Sequence, residues 1–99
     1  MFTNSDFRKR IMQLPITIPS KTGKANYTSF NLDGDILSFH RNVPKTNWNL
    51  SVSELYSIYR TRKFINTSVI KSITNKRVNS PSVAVLIAIG CIDITGVRI

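Results

Sequence analysis

The strongest constraint on the fold is a ten-residue apolar run, residues 83–92, near the end of the chain. The run is about half the length that a membrane-spanning helix needs, so we expect it to be buried in protein. It closes the segment 49–93, which holds most of the apolar periodicity of the chain. A chain of 99 residues provides one core and leaves no interior for a second. The sequence therefore predicts a single domain, residues 1–99, in which this run is the core or a dimer seam.

Two conformations of this run are compatible with its pattern. Ser80 followed by Pro81 is typical of a helix start, and Gly90 would end such a helix. β-Branched residues at every second position instead favour a central strand; they are Val83, Val85, Ile87 and Ile89. The start signal favours the helix, and the strand remains the alternative.

A second helix is predicted after Ser51. Ser51 and Glu54 have the spacing of a capping box, and Leu50 and Leu55 have that of a hydrophobic staple. One face of this helix is apolar and consists of Leu55, Ile58 and Tyr59. We expect the helix to end near Lys63.

A third helix, residues 67–77, is predicted after the apolar joint Phe64-Ile65. Asn66 or Thr67 can cap it, and its apolar stripe consists of Val69, Ile70 and Ile73. Its other positions are small and polar or cationic. The two helices and the short joint match the outline of a helix-turn-helix, in which residues 67–77 would read a groove of DNA. A packed helix with a solvated polar face has the same pattern.

Residues 26–41 predict a β-hairpin. They alternate around Asp33-Gly34, a dipeptide typical of a type I′ turn. A two-residue loop there predicts three cross-strand pairs on the inner face: Leu32 with Asp35, Phe30 with Leu37, and Thr28 with Phe39. The outer face would carry Tyr27, Ser29 and Asn31 opposite His40, Ser38 and Ile36.

The remaining segments are shorter. Ser5-Asp6 can open a short helix that Pro15 would stop, with Phe7, Ile11 and Leu14 on one face. Residues 14–18 then alternate as a short strand. Residues 42–49 are interpreted as a loop anchored by Trp48. The alternation of Ile92, Ile94, Val97 and Ile99 suggests a final short strand with a bend at Thr95-Gly96.

Together these patterns predict an α+β fold. An N-terminal antiparallel β-hairpin or small meander would pack against a helical C-terminal half of about three helices, followed by a short C-terminal strand.

The charge of the chain favours polyanionic partners. Lys and Arg number 14 against 5 Asp and Glu, a net charge of +9. Residues 55–92 carry cations but no acidic residue. The predicted nucleic-acid-binding residues are Arg60, Arg62, Lys63, Lys71, Lys76 and Arg77, with Tyr56 as a base-stacking side chain. Tyr27 is a second stacking candidate, whereas Tyr59 is expected to pack. The plain alternative is that the charge serves solubility.

The sequence offers little for catalysis or cofactor binding. Cys91 is the only cysteine, which excludes an intrachain disulfide, and its apolar setting suggests a buried, inert thiol. His40 is the only histidine and is interpreted as an exposed strand residue. No spacing typical of a metal, nucleophile or phosphate-loop site occurs, so we predict no cofactor and no enzymatic activity. A small basic ribonuclease using His40 is a remote alternative.

The function expected from these features is a non-catalytic, nucleic-acid-associated or regulatory binding protein, with DNA or RNA as partner. The alternative is a homo-oligomeric protein-interaction module without nucleic-acid binding. Self-association is predicted because the apolar C-terminal half and the strand edges offer surfaces for a second copy, most simply in a dimer. The N-terminus lacks a signal-peptide pattern and no run is long enough to span a membrane, so we expect a cytoplasmic protein without membrane contact.

Overall fold

A computed structural model describes residues 1–20, 23–43, 45–73 and 79–99. The predicted α+β class is confirmed: within these ranges one four-stranded antiparallel sheet of order β1-β2-β3-β4 is combined with four helices. The predicted arrangement is partly wrong, because a helix precedes the strands and the sheet occupies the middle of the chain. The elements are α1 (Asn4–Met12), β1 (Thr17–Pro19), β2 (Asn26–Asp33), β3 (Ile36–Arg41), β4 (Thr46–Ser51), α2 (Val52–Thr61), α3 (Thr67–Ile73) and α4 (Asn79–Ala88).

The N-terminal helix and strand form as the pattern of residues 5–18 predicts. The helix α1 begins one residue before Ser5, because Thr3 caps it by accepting a hydrogen bond from the Asp6 amide at 3.2 Å. Phe7 and Ile11 are buried on its inner face. The short strand β1 follows and buries Ile18 between two exposed neighbours.

The hairpin β2–β3 forms, but its predicted register is wrong. Asp33 pairs with Ile36 and Leu32 pairs with Leu37, so the two-residue turn is Gly34-Asp35. Further along, Asn31 pairs with Ser38 while Thr28 pairs with His40, and the register therefore shifts by one residue. Ser29 has a φ of 60° at this bulge. Because a one-residue shift reverses the faces, Tyr27 lies in the core and is not on the outer face as predicted.

The fourth strand is a second correction. Residues 46–49, interpreted from the sequence as part of a loop, belong to β4, which pairs with β3 without interruption from Thr46 to Ser51. The composition of this strand, rich in Asn, gives no strand signal. The pairing partner β3 and the inward packing of Leu50 and half-buried Trp48 explain why it forms.

One face of the sheet forms a single core with the helices. Its buried residues include Ile18, Tyr27, Leu37, Phe39 and Leu50. The helix α2 begins at the predicted cap, since the Ser51 hydroxyl accepts from the Glu54 amide, and it buries its predicted apolar face, Leu55, Ile58 and Tyr59. The apolar run resolves as the helix α4, which starts at Asn79 and ends before Gly90 (φ 80°), so the strand alternative is wrong.

Candidate nucleic-acid interface

The cations of the chain differ in how they are bonded. Lys21, Lys76 and Arg77 lie outside the described residues. Within residues 1–20, 23–43, 45–73 and 79–99, the pair Arg8–Asp35, at 2.7 Å, is the one ion pair. Ten further described cations therefore have no carboxylate within salt-bridge distance in that part of the chain; they are Lys9, Arg10, Lys24, Arg41, Lys45, Arg60, Arg62, Lys63, Lys71 and Arg98.

The first bonded group is the Asp35 corner, which consists of Arg8, Asp35, Ser51 and Ser53. The carboxylate of Asp35 accepts from the Ser53 hydroxyl at 2.6 Å, the Ser53 amide at 2.9 Å and the Ser51 hydroxyl at 2.7 Å. Hydrogen bonds from Ser53 and Ser51, and also from Arg8, hold the pKa of Asp35 well below its usual 3.8. The corner joins α1, the β2–β3 turn and the start of α2, so Arg8 has a structural role.

A second bonded cation is Arg10. Its Nη1 donates to the Ile89 carbonyl at 3.1 Å, just beyond α4, where a cation complements the helix dipole. Its guanidinium also lies 3.9 Å from the centroid of the Phe2 ring. Arg10 therefore ties the N-terminus and α1 to the end of α4.

The cations at and after the end of α2 are exposed and have no carboxylate partner among the described residues. The helix ends at Thr61, and Arg62 follows in extended conformation with φ −121° and ψ 133°. Arg60, Arg62 and Lys63 are all exposed. These three cations lie close together because they all occur within the four residues 60–63 at the end of the helix.

The C-terminal tail brings a fourth cation to the same place. The Arg98 amide donates to the Lys63 carbonyl at 2.9 Å, and Arg98 Nη1 donates to the carbonyls of Tyr59 and Arg60 at 3.1 and 3.0 Å. These bonds satisfy carbonyls at the end of α2 that lack helical partners. They also place the Arg98 side chain against the last turn that carries Arg60.

A tight turn holds the tail in this position. The exposed Asp93 carboxylate accepts from the Thr95 hydroxyl, the Thr95 amide and the Val97 amide, and these bonds lower the pKa of Asp93. Gly96 follows with a φ of 93°, and a Cβ atom there would lie 2.5 Å from the Ile65 carbonyl oxygen. Only glycine allows the tail to come this close.

An aromatic ring is exposed among these cations. Phe64 forms an isolated antiparallel bridge with Val97, and each side chain is 48% exposed, whereas the adjacent Ile65 is fully buried. The predicted C-terminal strand is reduced to this bridge and one between Ile92 and Arg98. We name Arg60, Arg62, Lys63, Phe64 and Arg98 the junction patch.

The tyrosines proposed from the sequence are more enclosed than Phe64. Tyr56 is half-buried: its hydroxyl donates to the Phe2 carbonyl at 3.0 Å, and its ring lies edge-on to Phe7 at 5.1 Å. The Arg60 guanidinium lies 5.9 Å from the Tyr56 ring centroid, so this ring borders the junction patch. Tyr59 is buried as expected, and Tyr27 is fully buried and cannot stack on a base.

The predicted groove-reading helix is only partly described. Asn66 caps α3, since its side-chain oxygen accepts from the Val69 amide at 2.9 Å, and Ile70 is buried. Lys71 is exposed on this helix. Lys76 and Arg77 belong to the segment 74–78, outside the described residues, so their predicted role stays a prediction.

The sole histidine and the sole cysteine of the sequence lie in different surroundings. His40 is half-buried, and its Nδ1 lies 2.9 Å from the Asn47 side-chain oxygen. Cys91 is fully buried, and desolvation raises the pKa of its thiol to about 12, which agrees with an inert thiol. Within the described ranges, no group of three His, Cys, Asp or Glu side chains could hold a metal ion.

Sequence reasoning found three of the five residues of the junction patch and missed Phe64 and Arg98. Phe64 and Ile65 are adjacent and both apolar, and nothing in the sequence says that only Ile65 is buried. Arg98 is 35 residues from Lys63 and reaches it through the turn at Gly96. The one available signal was Gly96 itself, since a glycine after Asp93 and Thr95 is typical of a tight turn.

Three comparisons with known proteins found no match: no protein-family model, no curated protein and no solved structure matches this chain. None of the helices in the described ranges has the length and apolar character needed to cross a membrane.

Proposed function

We propose that this protein binds single-stranded nucleic acid, without strong sequence preference, through the junction patch. The observation that carries the proposal is the half-exposed ring of Phe64 beside cations that have no carboxylate partner in the described part of the chain. An exposed aromatic ring among basic side chains is the combination that such binding requires.

The two parts of the patch have separate tasks. Phe64 supplies an apolar face on which a base can stack, a contact worth about 1–3 kcal/mol per base in such proteins. Arg60, Arg62 and Lys63 contact phosphates and release condensed counterions. A single strand suits this arrangement better than a duplex, because its bases are accessible for stacking.

Secondary roles in the proposed binding fall to Tyr56, Lys71, Lys76 and Arg77. Tyr56 borders the patch through Arg60. Lys71, Lys76 and Arg77 follow in the chain and would add phosphate contacts along the strand. We propose Phe64 as the first stacking residue and Tyr56 as a secondary one, because the Tyr56 hydroxyl and ring are already engaged in packing.

A salt titration of fluorescence anisotropy tests the proposal, with labelled single-stranded RNA and DNA of mixed sequence and a duplex of the same length. We expect tighter binding to the single strands and a linear fall of log affinity with log salt. The triple variant Arg60→Ala/Arg62→Ala/Lys63→Ala should reduce the salt slope by about 2, since each phosphate contact contributes about 0.7 for single strands.

The matched control removes the same charge elsewhere. Lys9, Lys24 and Lys45 are exposed lysines outside the patch, and their triple alanine variant should retain most of the slope. If the two triple variants weaken binding equally, the interaction is a general effect of net charge and the patch is not the site. Absence of binding near physiological salt would leave the alternative, a protein-interaction module without nucleic-acid binding.

Phe64 has its own pair of variants. Phe64→Leu keeps an apolar side chain but removes the ring, and we expect about tenfold weaker binding. Phe64→Tyr keeps the ring and should bind like the wild type. Equal affinity of the two variants would show that Phe64 does not stack on a base.

A further inference from the structure

The two edges of the sheet differ in how they are protected against pairing. The edge strand β1 has three residues and ends at Pro19, and both features discourage addition of another strand. The opposite edge, β4, has six residues, contains no proline and no charged residue, and pairs with β3 without a bulge. No described strand pairs with its outer side, because β4 is last in the sheet order. This edge therefore lacks the short length, proline, charge and bulge that often discourage strand addition.

The hydrogen-bond pattern identifies the groups on the open side. The Val52 amide donates to the Asp35 carbonyl at 2.8 Å, which marks these two residues as a hydrogen-bonded pair of the β3–β4 ladder. Such pairs alternate along an antiparallel ladder, so Leu50 and Trp48 also bond toward β3. The amides and carbonyls of Asn47, Asn49 and Ser51 consequently point away from β3.

The two ends of β4 carry opposite charge. Arg41 pairs with Thr46 at the first end, where Lys45 precedes the strand. Ser51, at the other end, is opposite Ile36. Its hydroxyl donates to Asp35, whose carboxylate also pairs with Arg8, and it caps the first turn of α2, which carries Glu54. About 17 Å separate the two ends of a six-residue strand, so the charges at one end act only weakly on groups at the other.

From these observations we propose that a second copy of this chain pairs with β4 in antiparallel orientation, about a two-fold axis through Asn49. Asn47 then bonds to the partner's Ser51, and the two four-stranded sheets become one sheet of eight. The same register brings Lys45, which precedes the strand, toward the partner's Ser51 end, where α2 begins and carries Glu54 in its first turn. Antiparallel pairing of a strand with its own copy therefore brings each cationic end beside an acidic end.

The net charge of +9 opposes this association, but it acts over a longer range than the end contacts. At physiological ionic strength charges more than about 8 Å apart are largely screened, so the contacts across the two-fold axis dominate. The contact area of a single strand is small, and we expect a weak dimer in concentration-dependent equilibrium with the monomer.

Charge reversal separates the local contact from the net charge. Lys45→Glu lowers the net charge by two, which would strengthen association if overall repulsion decided it. The proposal gives the opposite sign: Lys45→Glu places like charges together at both ends and should raise the dimer Kd about tenfold. Lys24→Glu makes the same change of net charge beside the other edge strand and should not raise the Kd.

The double variant Lys45→Glu/Glu54→Lys restores opposite charges and should restore the wild-type Kd, measured by sedimentation velocity over a concentration series. A wild-type chain that stays monomeric up to about 1 mM, or a Lys45→Glu variant that dimerises as well as the wild type, overturns the proposal.

Amide hydrogen exchange gives a second, positional readout. The amides of Asn47, Asn49 and Ser51 should become protected as protein concentration rises, whereas those of Trp48 and Leu50 should be protected at every concentration. A dimer in which Asn47 and Asn49 keep exchanging freely pairs through another surface and also overturns the proposal. Neither measurement contains nucleic acid, so its outcome is independent of the function proposed above.

Discussion

The Asp35 corner contains one cation and the junction patch four, and these cations are used differently. In the corner, Arg8 donates to the Asp35 carboxylate at 2.7 Å and to the Gly34 carbonyl at 3.2 Å. In the patch, Arg60, Arg62 and Lys63 are exposed and only Arg98 is bonded to backbone carbonyls. The contrast shows that the count of basic residues does not identify a binding surface. The contacts of each cation separate those that stabilise the fold from those that remain available to a ligand.

The largest loss of stability is expected at Gly96, where the backbone of the C-terminal tail comes close to the backbone of Ile65. Gly96→Ala forces a side chain into a φ of 93° and places Cβ 2.5 Å from the Ile65 carbonyl oxygen. We expect a loss of about 3 kcal/mol in the free energy of unfolding, measured by urea denaturation. Gly34→Ala is the control, because φ there is also positive but no described atom lies within 4 Å of the added Cβ. If Gly96→Ala lowers the free energy of unfolding no more than Gly34→Ala does, the fold does not depend on the close contact between the tail and Ile65.

The next effect concerns the Asp35 corner. Asp35→Ala removes the acceptor of the Ser51 and Ser53 hydroxyls and of the Ser53 amide at the start of α2. Loss of a capping carboxylate costs about 1–2 kcal/mol, which urea denaturation at pH 7 would measure. An unchanged midpoint would mean that the corner is an incidental set of contacts.

The same variant predicts a pH dependence with a definite sign. The folded-state pKa of Asp35 lies below its unfolded value of about 4, so its stabilising contribution is complete above that value. The contribution is lost as pH falls below about 4 toward the folded pKa. The difference in stability between wild type and Asp35→Ala should therefore be constant from pH 7 to 5 and shrink from pH 4 to 2. A difference that is as large at pH 2 as at pH 7 contradicts the assignment.

A smaller effect on stability tests the difference between the Asp35 corner and the junction patch most directly. Arg8→Ala should destabilise the protein by about 1 kcal/mol, because it breaks a partly buried ion pair and hydrogen bonds to the β2–β3 turn and to α2. Arg62→Ala removes an exposed side chain and should change stability by less than about 0.5 kcal/mol. Thermal denaturation of both variants measures the difference. The reverse order of cost would remove the distinction between the two regions.

The smallest effect is expected inside the sheet. The Tyr27 hydroxyl is buried without a hydrogen-bond partner among the described residues, and desolvation raises its pKa. Tyr27→Phe should be neutral or stabilise the protein by up to about 1 kcal/mol. Tyr59→Phe is the matched variant: its hydroxyl accepts from the Phe2 amide at 2.8 Å, and its loss should cost about 1 kcal/mol. Equal costs would indicate that the Tyr27 hydroxyl has a partner after all.

Local signals in the sequence determined several features of this protein. The caps of α2 and α3, the helix in residues 5–12, the existence of the hairpin and the α+β class all follow from patterns a few residues long. The preference for a helix in the apolar run was also correct, because the start signal at Pro81 lies just before the run and the stop signal at Gly90 lies near its end. Three of the five patch residues were found because they are adjacent in sequence.

Only the tertiary structure decided the features that depend on a distant partner. The strand β4 forms because β3 offers it a ladder, and the bulge at Ser29 shifts the register so that Tyr27 packs in the core. The contact of Phe64 with Val97 and that of Arg98 with Lys63 join segments more than 30 residues apart. Periodicity and capping act within one or two turns, whereas pairing and burial are set by which surfaces meet. The exposure of Phe64 and the position of Arg98 were therefore set by long-range contacts, whereas Arg60, Arg62 and Lys63 are neighbours in the sequence.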